Sequence, residues 1–287
     1  MNNAHISDTA IDYLVIGHVT CDLTPQGCTP GGTAVYAGRT AQVLGCRTAV
    51  LTSTGPETNL AQALPHIRTH TVPAPRSTTF ENIYPDTDQP RIQHIHAVAQ
   101  TLTCADVPAA WQRASIVHLG PIAAEIEPDV INLFANSLIG LTPQGWMRRW
   151  DENGRVYARR WPAAPDVLPL AAAVILSEED LLDGQMLDQY RQWSRLVVLT
   201  QGWRGCTVFL GDETREVPAP AVAAREFTGA GDIFATAFLI RLQQTGGNPW
   251  EAARFANLIA SQSVTQPDPD RKMAHLTTYW HDLKTGT

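Results

Sequence analysis

The sequence predicts an α/β protein built on an open, mostly parallel sheet. Three observations predict it. Short, nearly continuous apolar runs rich in Val, Ile and Leu recur along the chain, as strands covered on both faces do. Longer stretches with helical spacing separate several of them, and such alternation is the mark of an open α/β sheet. Two polar, turn-rich regions, 20–30 and 76–103, interrupt the alternation and need a separate place in the fold.

In chain order, "DYLVIGHV" (12–19) reads as the first buried strand, and the turn-rich "TCDLTPQGCTP" (20–30) follows it. A helix is expected from Thr33 to Gly45, a glycine suited to ending it. "RTAVLTST" (47–54) is the second strand. Residues 76–103 hold two alternating runs about a Pro/Asp turn, which predicts a β-hairpin that could close over a site. "SIVHLGP" (115–121) is a strand, and "EPDVINLFANSLIG" (127–140) reads as a helix stopped by Gly140. "AAVILSEE" (172–179) and "RLVVLTQG" (195–202) complete the set of five strands. "NPWEAARFANLIASQSV" (248–264) is a helix with Asn248 as N-cap, Pro249 at N1 and Glu251 at N3 in a capping-box variant. No repeat, low-complexity segment or interdomain linker is apparent, so one domain is expected.

The chain has 287 residues, 44% hydrophobic and 17% charged, with a formal net charge of -7. That composition is globular, and the acidic balance without a basic run argues against nucleic acid or an anionic membrane as partner. The N-terminal stretch has no basic segment leading into an apolar one, and the longest apolar run, near "LPLAAAVIL", is far short of the ~18 residues of a membrane span. A cytoplasmic location is expected. The five cysteines include no CxxC pair, so free buried thiols are expected rather than a disulfide framework or zinc site. The only lysines are Lys272 and Lys284. A phosphate loop that needs a lysine after its glycines is therefore excluded, and phosphate chemistry must rest on backbone amides, arginine or metal.

"EFTGAGDIFATAFLIRL" (226–242) is the chemically loaded stretch. The first turn of a helix offers unpaired N–H groups and the positive end of the helix dipole. Gly229, Ala230 and Gly231 leave that turn nearly bare, so an anion can approach the amides closely. Asp232 stands beside the anion, where a carboxylate is electrostatically unwelcome unless it takes a proton from an attacking hydroxyl. The same residues also suit an ordinary capped helix with a tight glycine turn.

"TGAGDIFATAF" resembles the C-terminal signature of the ribokinase-like (PfkB) carbohydrate kinases, and other segments fall in that family's order over roughly residues 12–265. "PGGTAVYAGRTAQVLG" (30–45) resembles its Gly-Gly signature, "IGHVTCDL" (16–23) its first strand, "LSEED" (176–180) the segment near magnesium and phosphate, and "VVLTQGWRGCTVF" (197–209) the strand and turn before the nucleotide site. The resemblance implies a three-layer α/β/α sandwich with a small β lid formed at about 20–30 and 76–103. It implies an ATP-dependent kinase acting on a hydroxyl of a small sugar, polyol or nucleoside, with Mg2+. Asp232 would be the base, and Thr228, Gly229, Ala230 and Gly231 the phosphate cradle. Thr200, Gly202, Gly205 and Asn257 would face the nucleotide. Asp22, Gly31 and Gly32 would face the acceptor, and Asp180 would assist the metal through water; apart from the resemblance, Arg148 at a strand end could bind a substrate hydroxyl or phosphate or belong to a solvated loop. An exposed lid edge could pair two subunits as a homodimer. "GGTAVYAG", "STTFENIY", "RIQHIHAVAQTL" and "GLTPQGWMRRWDENGRV" look most like the myo-inositol kinase branch and its bacterial relatives.

Four residues depart from the family pattern. Phe227 replaces an aspartate that helps hold a monovalent cation in many members, so potassium is expected to matter less here. Tyr36 replaces a usual asparagine near the sugar, and Ser177 with Asp180 replaces Asn-x-x-Glu. These changes support one rival, a non-catalytic ligand binder on the same fold. A nucleotide-dependent oxidoreductase is disfavoured because GxGxxG is missing. His94 and His96 alternate on one strand face without a third ligand, and "HIRTH" (66–70) lacks the glutamate of a zincin. His118 in an apolar strand is expected to be a satisfied core residue. Arg149 and Trp146, Trp150 and Trp161 are expected mainly to build a loop.

Overall fold

The structure is a computed structural model that describes residues 10–25, 27–83 and 92–286. A nine-stranded sheet forms its centre, in the order Glu213–Val217, Cys206–Leu210, Leu196–Thr200, Ala173–Ser177, Leu138–Leu141, Ile116–Leu119, Tyr13–Ile16, Thr48–Thr54, Arg68–Pro73. From Leu196–Thr200 to Arg68–Pro73 every pairing is parallel. Cys206–Leu210 and Glu213–Val217 turn back antiparallel at one edge. All five strands expected from apolar runs are present.

The reason lies in the side-chain period of two. Tyr13, Val15, Val50, Ile116, Ile175 and Val198 enter one core, with the helices Gly32–Val43, Ala230–Gln244, Pro249–Ser263 and Pro269–Thr285 laid over it. Their neighbours Leu14, Ile16, Leu51, Val117, Leu176 and Leu199 enter a second core on the opposite face. There the cover is the helix Gly184–Trp193 and several 3-10 turns. The predicted three-layer α/β/α sandwich is therefore the observed fold.

Residues 127–140 are not one helix. Pro128–Phe134 is a 3-10 segment, and Leu138–Leu141 is a central parallel strand. Gly140 is not a helix stop. A Cβ there would lie 2.2 Å from Leu239 Cδ1 of the helix Ala230–Gln244, so the bare backbone serves close helix-to-sheet packing. At the other helix, Asn248 Oδ1 accepts from the amides of Trp250 and Glu251 as expected. The capping box is not closed, because the Glu251 carboxylate is drawn to Arg241.

The two regions that broke the alternation form a second sheet, in the order Gly27–Gly31, Thr20–Thr24, Thr79–Ile83, Ile92–Ala97. The turn expected between its last two strands lies outside the described residues. Antiparallel pairing of Thr20–Thr24 with Gly27–Gly31 sets Leu23 opposite Cys28. Cys21 and Cys28 come to 5.2 Å between Cα atoms and are joined as a disulfide. This corrects the expectation of free thiols for these two, since hairpin register rather than a sequence motif brings them within bridging range. Cys46, Cys104 and Cys206 are free, and among them only Cys206 is buried. Among the described residues no helix is long and apolar enough to cross a membrane.

Candidate active site

The parallel strands end on one side, and the loops leaving those ends carry most of the chemically active side chains, as open α/β sheets favour. Thr20–Thr24 begins just beyond the end of Tyr13–Ile16 and holds Asp22. Ser177 ends Ala173–Ser177 and leads into Asp180, and Thr200 ends Leu196–Thr200.

The helix Ala230–Gln244 starts at this edge. Gly229 is its N-cap in the left-handed region, φ 78°, and the Ile233 amide makes the first helical bond, to Gly229 O at 2.9 Å. The Ala230 amide is taken by Phe227 O at 3.0 Å. Helix geometry then leaves the amides of Gly231 and Asp232 without an intrahelical acceptor. The two glycines do different work. A Cβ on Gly229 would lie 2.3 Å from Tyr36 Cδ1, whereas one on Gly231 would meet nothing within 4 Å. Gly229 is bare so that the turn can pack on Tyr36, and Gly231 faces open space where an anion can sit.

Asp232 is half-buried in that first turn. Burial lifts its carboxyl from 3.8 to about 6; a Thr33 hydrogen bond and the Arg148 charge oppose the rise, and Asp180 and Asp22 add to it. Residues from five separate elements thus share one electrostatic environment. Asp22 accepts a hydrogen bond from Thr20 Oγ1 at 3.1 Å, and a Cβ on Gly31 would lie 2.4 Å from Asp22 Oδ2. Gly32, φ 82°, passes close to His18 O, where a Cβ would be 2.6 Å away. The Gly31–Gly32 turn therefore has its bare backbone against Asp22 and His18. Arg148 donates to Ile122 O at 3.1 Å, and its guanidinium lies 5.9 Å from the Phe80 ring centroid.

Asp180 is held by the Ser177 amide at 3.1 Å and the Gln144 side-chain amide at 2.8 Å. No group of three or more His, Cys, Asp or Glu among the described residues could hold a metal by itself. The donor set fits a cation carried mainly by phosphate oxygens and water, with Asp180 as the nearby carboxylate. Gly202 and Gly205, φ 59° and 103°, form the turn after Leu196–Thr200, and Thr200 Oγ1 donates to Leu176 O at 3.3 Å. Asn257 departs from the expected nucleotide-facing role. It is 4% exposed, and its amide donates to Val217 O at 2.8 Å, so it supports the chain from within where it leaves the strand Glu213–Val217.

Other expectations fare simply. His118 is fully buried between Tyr13 and Thr142, at 3.0 and 2.9 Å, and burial holds its pKa down to about 3. His96 pairs with Glu81 at 2.9 Å. Trp146 and Trp161 stack at 4.3 Å beneath the short hairpin Arg148–Trp150/Val156–Ala158, while Trp150 is exposed. Arg149 lies over Tyr157 of the same hairpin.

Thr33 and Lys272 were not found from sequence. Thr33 sits one residue beyond the glycine pair and reaches Asp232 only through packing of the two helices. Lys272 shares the buried stripe of its helix with Met273 and Leu276, and a lone lysine at that spacing was the available signal.

Comparison with known proteins places these residues in a wider setting. Residues 155–274 match the pfkB family carbohydrate kinase pattern, which covers Asp180, Thr200, residues 228–232, Asn257 and Lys272 but neither Asp22 nor the Gly31–Gly32 turn. A segment of 78 residues is 37% identical to "Probable fructokinase-5" of Arabidopsis thaliana, covering 25% of this chain and 24% of that protein. The match thus spans about a quarter of the curated relative. Among solved structures, a pyrophosphate-dependent kinase in the ribokinase family, complexed with a pyrophosphate analog and myo-inositol, aligns with TM-score 0.78 at 21% identity, over 95% of this chain and 99% of that one. Ribokinase from Giardia lamblia aligns with TM-score 0.74 at 18% identity, over 96% and 100%. At such identities these likenesses establish the fold, which is ribokinase-like.

Proposed function

We propose that this chain, which carries the ribokinase-like fold and the pfkB-family carbohydrate kinase pattern, is a kinase. It transfers the terminal phosphoryl group of ATP to a hydroxyl of a small sugar or inositol-like polyol. The observation that carries the reading is Asp232: a carboxylate with its pKa raised to about 6, in the first turn of a helix whose Gly231 faces open space. A carboxylate tuned toward neutrality beside an anion-binding turn suits proton abstraction from an attacking alcohol.

In this mechanism Asp22 and the Gly31–Gly32 turn orient the acceptor, and one of its hydroxyls faces Asp232. The amides of Gly229, Gly231 and Asp232 and the helix dipole receive the transferred phosphoryl group. Arg148 adds positive charge on the acceptor side and keeps Asp232 from rising further. Mg2+, when bound with the donor, would offset the charge of the phosphate oxygens, with Asp180 orienting its water. The residue that takes the proton is Asp232; the alcohol oxygen attacks the terminal phosphorus in line as its bond to the bridging oxygen breaks, and ADP leaves. No covalent intermediate on the protein is required, since positioning and electrostatics supply the rate.

The chain works as one kinase domain, with the small sheet from about 20–30 and 76–103 as a lid. Closure would exclude water, which would otherwise compete as acceptor. The outer edge of that sheet is a candidate for pairing two subunits.

A second donor merits the same assay. Inorganic pyrophosphate is used by the structural neighbour bound to myo-inositol. Asn257 already donates its side-chain amide to Val217 O, which lessens what it can offer a nucleotide and keeps the pyrophosphate reading in view. A screen of inositols, hexoses, pentoses and nucleosides against both ATP and pyrophosphate tests the reading. Substrate-dependent phosphorylation with either donor supports a kinase, and binding without turnover across the panel would favour a non-catalytic ligand binder.

A further inference from the structure

The loop behind the phosphate cradle is closed by a buried cation supplied by the chain itself. Of the two lysines, Lys284 is exposed, whereas Lys272 has 0% of its surface exposed. Its ammonium donates to Glu226 O at 2.7 Å and to Thr228 O at 2.8 Å. These carbonyls belong to the residues just before Gly229. The same loop is braced by the Glu226 carboxylate, which accepts from the Thr228 amide and hydroxyl at 2.8 and 2.7 Å. The Arg225 amide is tied to Val264 O at 2.7 Å.

Burying an ammonium is unfavourable unless carbonyls and carboxylates replace its water. Here burial draws the Lys272 pKa down to about 8, and Glu226 and Asp268 hold it up. The group is therefore charged near neutral pH. Its geometry has a direct consequence for the cradle. In a trans peptide the C=O and the following N–H lie in one plane and point in opposite directions. Pinning the Thr228 carbonyl on Lys272 turns the Gly229 N–H the other way, away from the lysine. The ammonium also polarises that peptide, which makes the N–H a stronger donor to an anion.

We propose that Lys272 is a tethered monovalent cation: its ammonium occupies a carbonyl-lined position behind the anion-binding turn, orients the Gly229 peptide and removes the need for a free potassium ion. The inference rests on the kinase reading for its catalytic consequence, but not for its cation chemistry. Phe227, 64% exposed, places no carboxylate there, and a second cation on the same carbonyls would meet the ammonium's charge. Lys272 is thus a positioning residue, acting through the Gly229 peptide.

The test uses the full chain and the variant Lys272→Met. Thermal midpoints are measured in tetramethylammonium, potassium and ammonium chloride at equal ionic strength, and steady-state rates in the same salts. The wild type is expected to show no potassium-specific rise in midpoint and less than about a twofold change in rate, well under the tenfold that ~1.4 kcal/mol represents. Lys272→Met is expected to lose on the order of 10- to 100-fold in rate, since one oriented donor to a developing oxyanion is worth ~10²–10³. Potassium or ammonium should raise its midpoint and restore several-fold of its rate, a rescue that a merely structural lysine would not show. If Lys272→Met does not fold, Lys272→Gln, which keeps a donor and loses the charge, tests the charge alone: potassium or ammonium should still raise its midpoint, and the wild-type salt comparison needs no variant. A wild type stabilised or activated tenfold by potassium would overturn the proposal. So would a folded variant with unchanged kinetics, or one impaired in every salt alike. If no donor and acceptor pair is turned over, the kinase reading fails, while the midpoints still decide whether the ammonium stands in for a cation.

Discussion

Replacing Asp232 with asparagine should move activity and stability in opposite directions. The carboxyl titrates near 6 in the folded protein against 3.8 for the free side chain. A raised carboxyl pKa means that the folded state holds its proton more tightly than the unfolded state. Its stabilising contribution is therefore complete below about 3.8 and is lost as pH rises through about 6. At pH 7.5 the ionised Asp232 is a net cost to the fold, lessened by the Thr33 hydrogen bond and the Arg148 charge. The neutral amide of Asp232→Asn would avoid that cost and still accept from Thr33, so the thermal midpoint at pH 7.5 should hold or rise. The turnover number should fall ~10²–10⁴-fold, the usual loss for a general base. The wild-type acceptor kcat/KM should rise with pH, about tenfold per unit at the acid end, and level off above about 6. Differential scanning fluorimetry at pH 5 and 7.5 and steady-state kinetics with the best acceptor measure both arms. An unchanged turnover number in Asp232→Asn would refute the assignment of the base. A large fall in midpoint at pH 7.5 would refute the electrostatic account of its environment.

Three further substitutions probe the surroundings. Gly231→Val places a branched side chain where a Cβ meets nothing within 4 Å, so the midpoint should change little while donor kcat/KM collapses; lost stability with normal kinetics per folded molecule would mean that the open space is not the phosphate position. Asp22→Ala should raise acceptor KM roughly 10- to 150-fold, the value of a charge-assisted hydrogen bond of about 1.5–3 kcal/mol, with much less effect on donor KM; equal effects on both substrates would place Asp22 elsewhere. Gly140→Ala puts a methyl 2.2 Å from Leu239 Cδ1, and overpacking of this kind costs about 1–3 kcal/mol, read as a lower midpoint in urea or heat; a neutral variant would show that the helix has room to shift.

The amino-acid sequence by itself determined the layers and pointed to the candidate site. The five apolar runs read as strands covered on both faces because they are short, rich in Val, Ile and Leu and bounded by turn residues. The proposed anion-binding turn was legible because its chemistry is local: residues 228–232 supply amides, bare backbone and a carboxylate within one turn. The tertiary structure decided what depends on distant neighbours. Gly140 reads as a helix stop in one dimension and is a packing point only because Leu239 lies against it. Cys21 and Cys28 pair through hairpin register, which their spacing does not announce. Asn257 spends its amide on Val217, and Asp232 owes its raised pKa to burial with Asp22 and Asp180 brought from other segments. Lys272 is the sharpest case. In the sequence it is a lysine in an amphipathic helix, far along the chain from Asp232; in the fold its ammonium sits on two carbonyls of the cradle loop. Propensity and periodicity act over a few residues, whereas desolvation and charge act through space, so the site's electrostatics became visible only once the chain was folded.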